Sequence, residues 1–315
     1  MFEEIIAKIN QYDSIVIFGH INPDGDCYGS QIGLKSILKA NYPDKQIYAV
    51  GSGLKQFYEV FGQLDEVDDE TITHSLALVL DSNDLPRIED QRVVKALDFA
   101  KIDHHIDTFT FHEGPEVIDT TVTSTCELIY HFAVENHLKI TKLAANALYL
   151  GILTDTARFQ YANDYPRMFS VLHDLCVLGV EPKKITMILN ITNENSLKLK
   201  SFVYQNIKKS EDGVLYLLVS KKEREELGVT SGQMVSHIGL IGNIDKYPIW
   251  AIVSETDIGG MQVEIRSNNI NVQKIAFSFG GGGHAYAAGF TLKEYKQETL
   301  DKLLNMLKAA AKEGK

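Results

Sequence analysis

Short apolar runs and helically spaced apolar positions alternate along the first half of the chain. SIVIFGH (14–20) is a continuous apolar run closed by a turn signal, and it predicts a strand. GSQIGLKSILKA (29–40) sets Ile32, Leu34, Ile37 and Leu38 at helical spacing and predicts a helix. QIYAVG (46–51), SLALVLD (75–81) and ALDFAKID (96–103) predict further strands, and CELIYHFAVENH (126–137) and KLAANALYLGILTD (142–155) predict two helices. Strands alternating with helices imply a doubly wound, mainly parallel sheet.

Near Glu181 the alternation weakens. ENSLKLKSFVYQNIKKS (194–210) predicts a polar helix, and residues 181–209 carry six lysines against two glutamates, a basic stretch suited to a cleft that admits anions or to a solvated connector. VLYLLVS (214–220), PIWAIVS (248–254) and MQVEIR (261–266) then predict strands, followed by NVQKIAFSF, a glycine run and a terminal helix. The expected fold class is therefore α/β: a doubly wound N-terminal domain over 1–185, a helical linker over 186–210, and a smaller α/β domain over 211–315.

Composition narrows the partners. A chain of 315 residues, 44% hydrophobic, can bury a substantial core and suggests two domains. Lys and Arg total 31 against 42 Asp and Glu, a net charge of −11, whereas proteins that grip long nucleic acid carry a basic footprint. Long duplex nucleic acid is thus not an expected partner, and a nucleic-acid substrate should be short. No run approaches the ~18 apolar residues of a membrane span. The acidic, amphipathic start MFEEIIAKINQYD is unlike a signal peptide. Cys27, Cys126 and Cys176 form neither a CxxC pair nor an even disulfide framework, which fits a reducing cytoplasm.

The acids gather at element ends. HINPDGD (20–26) puts His20, Asp24 and Asp26 just after the first strand; Asp81 closes SLALVLD, Asp103, His104 and His105 close ALDFAKID, and Asp155 closes an apolar helix. Loops leaving the carboxyl ends of strands in an open α/β sheet converge on one crevice. Carboxylates brought together there repel unless protonated or bound to cations. Aspartate oxygen mixed with histidine nitrogen suits Mn²⁺, with Mg²⁺ as the alternative, and the ligand count suits two ions with a water between them. Taken singly, each Asp is equally well a helix cap or turn former.

In this order and spacing, HINPDGD, LDSND, DHH and TDT resemble the four motifs of the DHH phosphoesterase superfamily. GGGGHAYAAGF (280–290) is similar to the signature of the associated DHHA1 domain. Size and layout resemble the branch that combines oligoribonuclease and pAp phosphatase activity. The resemblance implies that His20, Asp24 and Asp81 hold one Mn²⁺, and that Asp26, Asp81, His104 and Asp155 hold the other. It implies that His105 contacts the phosphate or protonates the leaving group, with Asp103 orienting the neighbouring imidazole; spacing alone does not decide which histidine ligates, and His104 is taken here. It assigns Arg266, Ser267, Gly282, Gly283 and His284 to the far end of the substrate, with the cleft between domains limiting substrate length. The implied reaction is Mn²⁺-dependent hydrolysis of short oligoribonucleotides (nanoRNA) to mononucleotides, and of pAp to AMP and phosphate. Relatives of this type often pair, so a homodimer is an expected assembly.

The glycine run Gly280–Gly283 lacks the Lys-Ser or Lys-Thr of a P-loop; glycines allow close backbone approach to phosphate, or simply a turn. Arg158, three residues past Asp155, could sit near phosphate or at the surface, while Phe159 and Tyr161 are expected to pack rather than to stack on a base. Cys27 stands where related sequences commonly carry alanine; a small side chain fits there, and a reactive thiol beside the metals would be a point of oxidation. Rival readings are a family II pyrophosphatase, a RecJ-type exonuclease, a phosphodiesterase for cyclic dinucleotides or linear products such as pApA, and a catalytically silent nucleotide-binding regulator. GGGGH and the chain length count against the first two.

Overall fold

Five strands, β1 (Ser14–Phe18), β2 (Gln46–Val50), β3 (Leu76–Leu80), β4 (Asp98–Asp103) and β5 (Glu116–Ile118), form the first sheet in the order β2-β1-β3-β4-β5. Every pairing is parallel, with Phe18 beside both Val50 and Val79. The computed structural model describes residues 1–105, 114–192 and 194–314. The chain divides into two compact units, Met1–Ile191 and Thr192–Lys315.

Strands β1, β3 and β4 are almost wholly buried, and β2 is buried at Ile47, Ala49 and Val50. Burial on both faces is why they read as continuous apolar runs. One face is covered by α1 (Glu3–Gln11), α2 (Gly25–Asn41), α3 (Thr125–Glu135) and α4 (Lys142–Asp155), whose apolar side chains join Ile15, Ile17, Leu76, Leu78 and Leu80 in the main core. Val16, Phe18, Ala77, Val79 and Phe99 face a smaller cluster with Ile72, Ile88 and Val93. Two further helices, α5 (Tyr165–Val177) and α6 (Pro182–Leu189), were not anticipated. Yet α5 buries Met168, Val171, Leu172 and Leu175 at i, i+3, i+4 and i+7, a pattern legible in the sequence.

Helices α2 and α4 pack unusually closely. A Cβ on Gly29 of α2 would lie 2.5 Å from the Ala147 carbonyl oxygen of α4, so the pair meets backbone to backbone. This contact brings the first turn of α2, with Asp26, to the last turn of α4, with Asp155.

Strand order 2-1-3-4-5 puts a topological switch between β1 and β3, the place where open α/β sheets form a crevice at the strands' carboxyl ends. His20 and Asp81 follow those two strands directly.

The second unit starts with α7 (Glu194–Asn206), the basic helix expected to act as connector, which buries Leu199 and Val203 in this unit's core. It continues with β6 (Lys208–Lys209), β7 (Val214–Val219), α8 (Lys221–Glu226), α9 (Ser231–Ser236), β8 (Ile249–Glu255), β9 (Met261–Ser267), α10 (Gln273–Ser278), β10 (Gly282–His284), β11 (Ala287–Leu292) and α11 (Gln297–Glu313). The sheet order is β10-β11-β9-β8-β7-β6, parallel between β7 and β8 and antiparallel elsewhere. Helix α11 buries Leu300, Leu303, Leu307 and Ala311 against one sheet face, while α7 and α9 cover the other.

Candidate metal centre

Asp81 sits at the middle of the crevice, 2% exposed, in the left-handed region at φ 55°. Aspartate tolerates that conformation better than most residues, and the turn aims its carboxylate across the strand ends. Its two oxygens face different partners. Oδ2 lies 3.4 Å from His20 Nε2, while Oδ1 lies 3.6 Å from His104 Nε2 and 3.5 Å from His105 Nδ1.

The His20 ring is oriented from behind, with Nδ1 2.9 Å from the Ile21 carbonyl oxygen, so that Nε2 faces Asp81 and, at 3.8 Å, Asp24. Burial opposes a charge on His20, but the Asp24 and Asp81 carboxylates outweigh it and hold the imidazole above its ordinary value. Asp24 is the N-cap of α2, accepting from the Asp26 and Cys27 N–H groups at 3.0 Å each. The capping alternative and the site alternative therefore fall on one side chain, at the exposed rim.

Asp26 is 1% exposed and is held by the start of α3. The Thr125 N–H donates to its Oδ2 at 2.7 Å and the Cys126 N–H to its Oδ1 at 2.9 Å, while the Thr125 hydroxyl lies 3.1 Å from Asp81 Oδ1. These contacts were missed in the sequence. The available signal was S-x-x-E at Ser124–Glu127, which marks a helix start; Ser124 caps α3, and the buried Glu127 carboxylate accepts from the Thr123 N–H.

His104 Nε2 is buried and has no hydrogen-bond partner among the described residues. It lies 3.8 Å from Asp26, 3.6 Å from Asp81 and 3.7 Å from Asp155 oxygens. These separations are too long for hydrogen bonds, and sets of three such atoms lie close enough together to surround one small cation. Asp26, His104 and Asp155 form one such group, Asp81, His104 and His105 a second, and His20, Cys27 and Asp81 a third.

Burial pushes the Asp26 carboxyl well above the carboxylate range, with Asp81 and Asp155 adding to it, and Asp155 is pushed up to about 7 by burial and by Asp81 and Asp24. Asp155 also stands in the last turn of α4, where the helix dipole disfavours negative charge. Burial lowers the pKa of His104, keeping it neutral and able to ligate. An orphaned neutral imidazole among mutually repelling carboxylates fits divalent cations.

His105 differs from its neighbour. Its Nδ1 lies 2.9 Å from Asp103 Oδ1, which also accepts the His105 N–H at 3.1 Å. That hydrogen bond raises the His105 pKa against the effect of burial. Asp103 is fully buried at the end of β4, and the His105 side chain is 39% exposed, open to a ligand.

Arg158 Nη2 donates to Asn190 Oδ1 at 2.7 Å. Phe159 packs against the main core as expected, but Tyr161 is 63% exposed; it follows Ala157, Arg158 and Phe159, which all adopt left-handed backbone (φ 47°, 62° and 69°). Cys27 is fully buried, accepts the His20 N–H at 3.2 Å and is pushed up to about 11 by burial, which makes it a packed thiol and removes the basis for a reactive one.

In the second unit, Arg266 pairs with Glu264, and the Ser267 hydroxyl donates to the Ile270 carbonyl. Gly282, Gly283 and His284 form the edge strand β10, paired with β11, and His284 is exposed. Gly283 is required by φ 126° and by the Ala287 carbonyl, which a Cβ would strike.

The description "DHH family, N-terminal domain" matches residues 14–152, and "DHHA1 domain" matches residues 211–313. The chain is 33% identical over 316 residues to the bifunctional oligoribonuclease and PAP phosphatase NrnA of Bacillus subtilis, covering 99% of both chains. It is 32% identical over 311 residues to the probable protein of that name from Streptococcus mutans, covering 98% of this chain and 99% of the relative. An exopolyphosphatase-related protein from Bacteroides fragilis shares the fold, with TM-score 0.84 and 22% identity over 99% of this chain and 96% of that one. With both domain matches and these relatives spanning nearly its whole length, the chain belongs to the DHH–DHHA1 family and is a hydrolase of phosphoester bonds.

Proposed function

We propose that this hydrolase uses Mn²⁺ to cleave short oligoribonucleotides to mononucleotides and pAp to AMP and phosphate, working in the cytoplasm. The observation that carries the metal reading is His104 Nε2, buried near three carboxylates and without a hydrogen-bond partner among the described residues. The substrate class rests on the names of the relatives that match over nearly the full chain.

His20, Asp24 and Asp81 would hold one ion, and Asp26, Asp81, His104 and Asp155 the other. The two oxygens of Asp81, one toward His20 and one toward His104, support its sharing between them. When bound, the two ions supply a water made acidic enough to attack phosphorus at neutral pH, and positive charge for the transferring phosphoryl group.

The chain's own groups position and protonate. Thr125 and Cys126 fix Asp26 through backbone donors, so its carboxylate does not rotate away when substrate arrives. Asp103 holds His105 at Nδ1 and favours its protonated form, leaving Nε2 to donate to a phosphate oxygen or to the leaving oxygen. Gly282, Gly283 and His284 offer an exposed strand edge for the far end of the substrate, where Arg266 would exchange Glu264 for phosphate and Ser267 keeps its internal bond. Arg158 would reach phosphate by releasing Asn190.

A second reading, a phosphodiesterase for cyclic dinucleotides or pApA, is favoured by one relative. The cyclic-di-AMP phosphodiesterase PdeA of Listeria monocytogenes is 26% identical over 309 residues, and the match covers 46% of that longer protein. Side-by-side Mn²⁺ assays on pAp, pApA, a short RNA and pyrophosphate test both readings. Turnover of pAp and short RNA is expected; preference for pApA over both would favour the second reading, and hydrolysis of pyrophosphate alone would overturn the assignment.

A further inference from the structure

We infer that Tyr161, with Tyr165 and Gln160, forms a nucleobase-binding wall beside the metal centre, a specificity subsite built within the first unit. The inference deepens the proposed function and rests on it.

A hollow of about 420 Å³ adjoins His104 and Asp155 and is otherwise lined by Thr123, Gln160, Tyr161, Ala162, Asn163 and Tyr165. Its size falls in the range of small-molecule sites. The far wall holds two aromatic rings and two amides, and Asp155 is the one carboxylate of the lining. Among the described residues the lining has no Lys or Arg to pair with a second phosphate. A flat, neutral, hydrogen-bonding ring fits instead: aromatic side chains stack bases, and a Gln amide offers both donors and an acceptor to a base edge.

The wall is held in a strained form. Three successive non-glycine residues, Ala157, Arg158 and Phe159, have left-handed backbone, which is costly and persists only where surroundings enforce it. Here they do. The Thr156 hydroxyl accepts the Phe159 N–H at 3.0 Å, the Thr156 carbonyl accepts the Tyr161 N–H at 2.9 Å, and the Asn163 amide donates to the Thr120 and Val122 carbonyls at 3.0 Å each. The Tyr165 hydroxyl donates to the Gln160 carbonyl at 2.9 Å, fixing its ring, while Tyr161 is left 63% exposed at the edge. A large, exposed aromatic ring that lines one hollow with His104 and Asp155 is placed to meet a ligand rather than the core.

The test measures KM and kcat in Mn²⁺ for wild type, Tyr161→Ala and Tyr161→Phe on pApA and on two analogues, each lacking one base. Tyr161→Ala should raise KM for pApA about 10-fold or more, the scale of one base–aromatic stack, with a smaller effect on kcat. One abasic analogue should already show that raised KM with wild type, and Tyr161→Ala should add nothing further to it. Tyr161→Phe should restore the wild-type KM. An unchanged KM for pApA, an equal KM rise on all three substrates, or a Phe variant as weak as the Ala variant overturns the inference. Failure of wild type to hydrolyse any of the three would instead strike the proposed function itself.

Discussion

Replacing Gly29 by alanine tests whether the close α2–α4 contact sets the site geometry. The added Cβ would lie 2.5 Å from the Ala147 carbonyl oxygen, about 0.9 Å short of the 3.4 Å at which ordinary contact begins. The neighbour is backbone, so the helices must part. Overpacking of this kind costs about 1–3 kcal/mol. Alanine returns about 1 kcal/mol of helix propensity. The net loss of about 0–2 kcal/mol should lower Tm by up to roughly 8 °C for a unit of this size. Function should suffer more, because the shift separates Asp26, one turn before Gly29, from Asp155, one turn after Gly151. A misplacement near 1 Å at a reacting centre costs on the order of 100-fold, so kcat/KM should fall about 10- to 100-fold and the Mn²⁺ needed for half-maximal rate should rise. Calorimetry and Mn²⁺ titration of activity read both effects. Gly232→Ala on α9 is the control, since no atom lies within 3.8 Å of its added Cβ, and it should match wild type. A Gly29→Ala protein with wild-type Tm and activity would refute the reasoning.

Metal-free protein should lose stability as pH rises. Asp26 and Asp155 keep protons when folded at pH values where the unfolded chain has released them, so unfolding free energy falls from about pH 4, the ordinary Asp value, through about 7, the value for Asp155. Melting in EDTA between pH 5 and 8 should show Tm falling, with Mn²⁺ restoring it most at the alkaline end; a Tm that climbs with pH in EDTA contradicts the clustering. Asp103→Asn removes the group that raises the His105 pKa, so kcat/KM should fall about 10- to 100-fold and its alkaline limb should move to lower pH, which a pH–rate profile reads. An unmoved limb would mean that His105 is not the proton donor. Cys27→Ala and wild type should lose activity to peroxide at equal rates, since the thiol is fully buried and protonated; protection by the substitution would show otherwise.

The parallel sheet was legible because strands buried on both faces leave apolar runs, and α4 was read to its ends, Lys142 and Asp155. The site cluster was legible for a different reason: strand-end acids have one crevice to converge on in such a sheet. What stayed hidden depends on contacts between remote segments. Backbone N–H groups carry no residue identity, so the grip of Thr125 and Cys126 on Asp26 left no mark beyond the S-x-x-E start. Tyr161 was read as a packing residue because apolar spacing cannot foresee three left-handed residues in a row. The resemblance assigns Arg266 and Ser267 to substrate, and the sequence does not show that Arg266 pairs with Glu264 or that the Ser267 hydroxyl donates to the Ile270 carbonyl. His104 and His105, alike in sequence, separate once Asp103 is seen to hold His105 and three carboxylates to surround His104.

The central claim is that Asp81 is shared by two divalent ions held by residues from four separate segments. Anomalous diffraction at the manganese edge, from crystals grown with Mn²⁺, measures this directly. The account predicts two peaks, both in contact with Asp81, one beside His20 and the other among Asp26, His104 and Asp155. Manganese found at surface acids alone, or a single ion that does not touch Asp81, would contradict it.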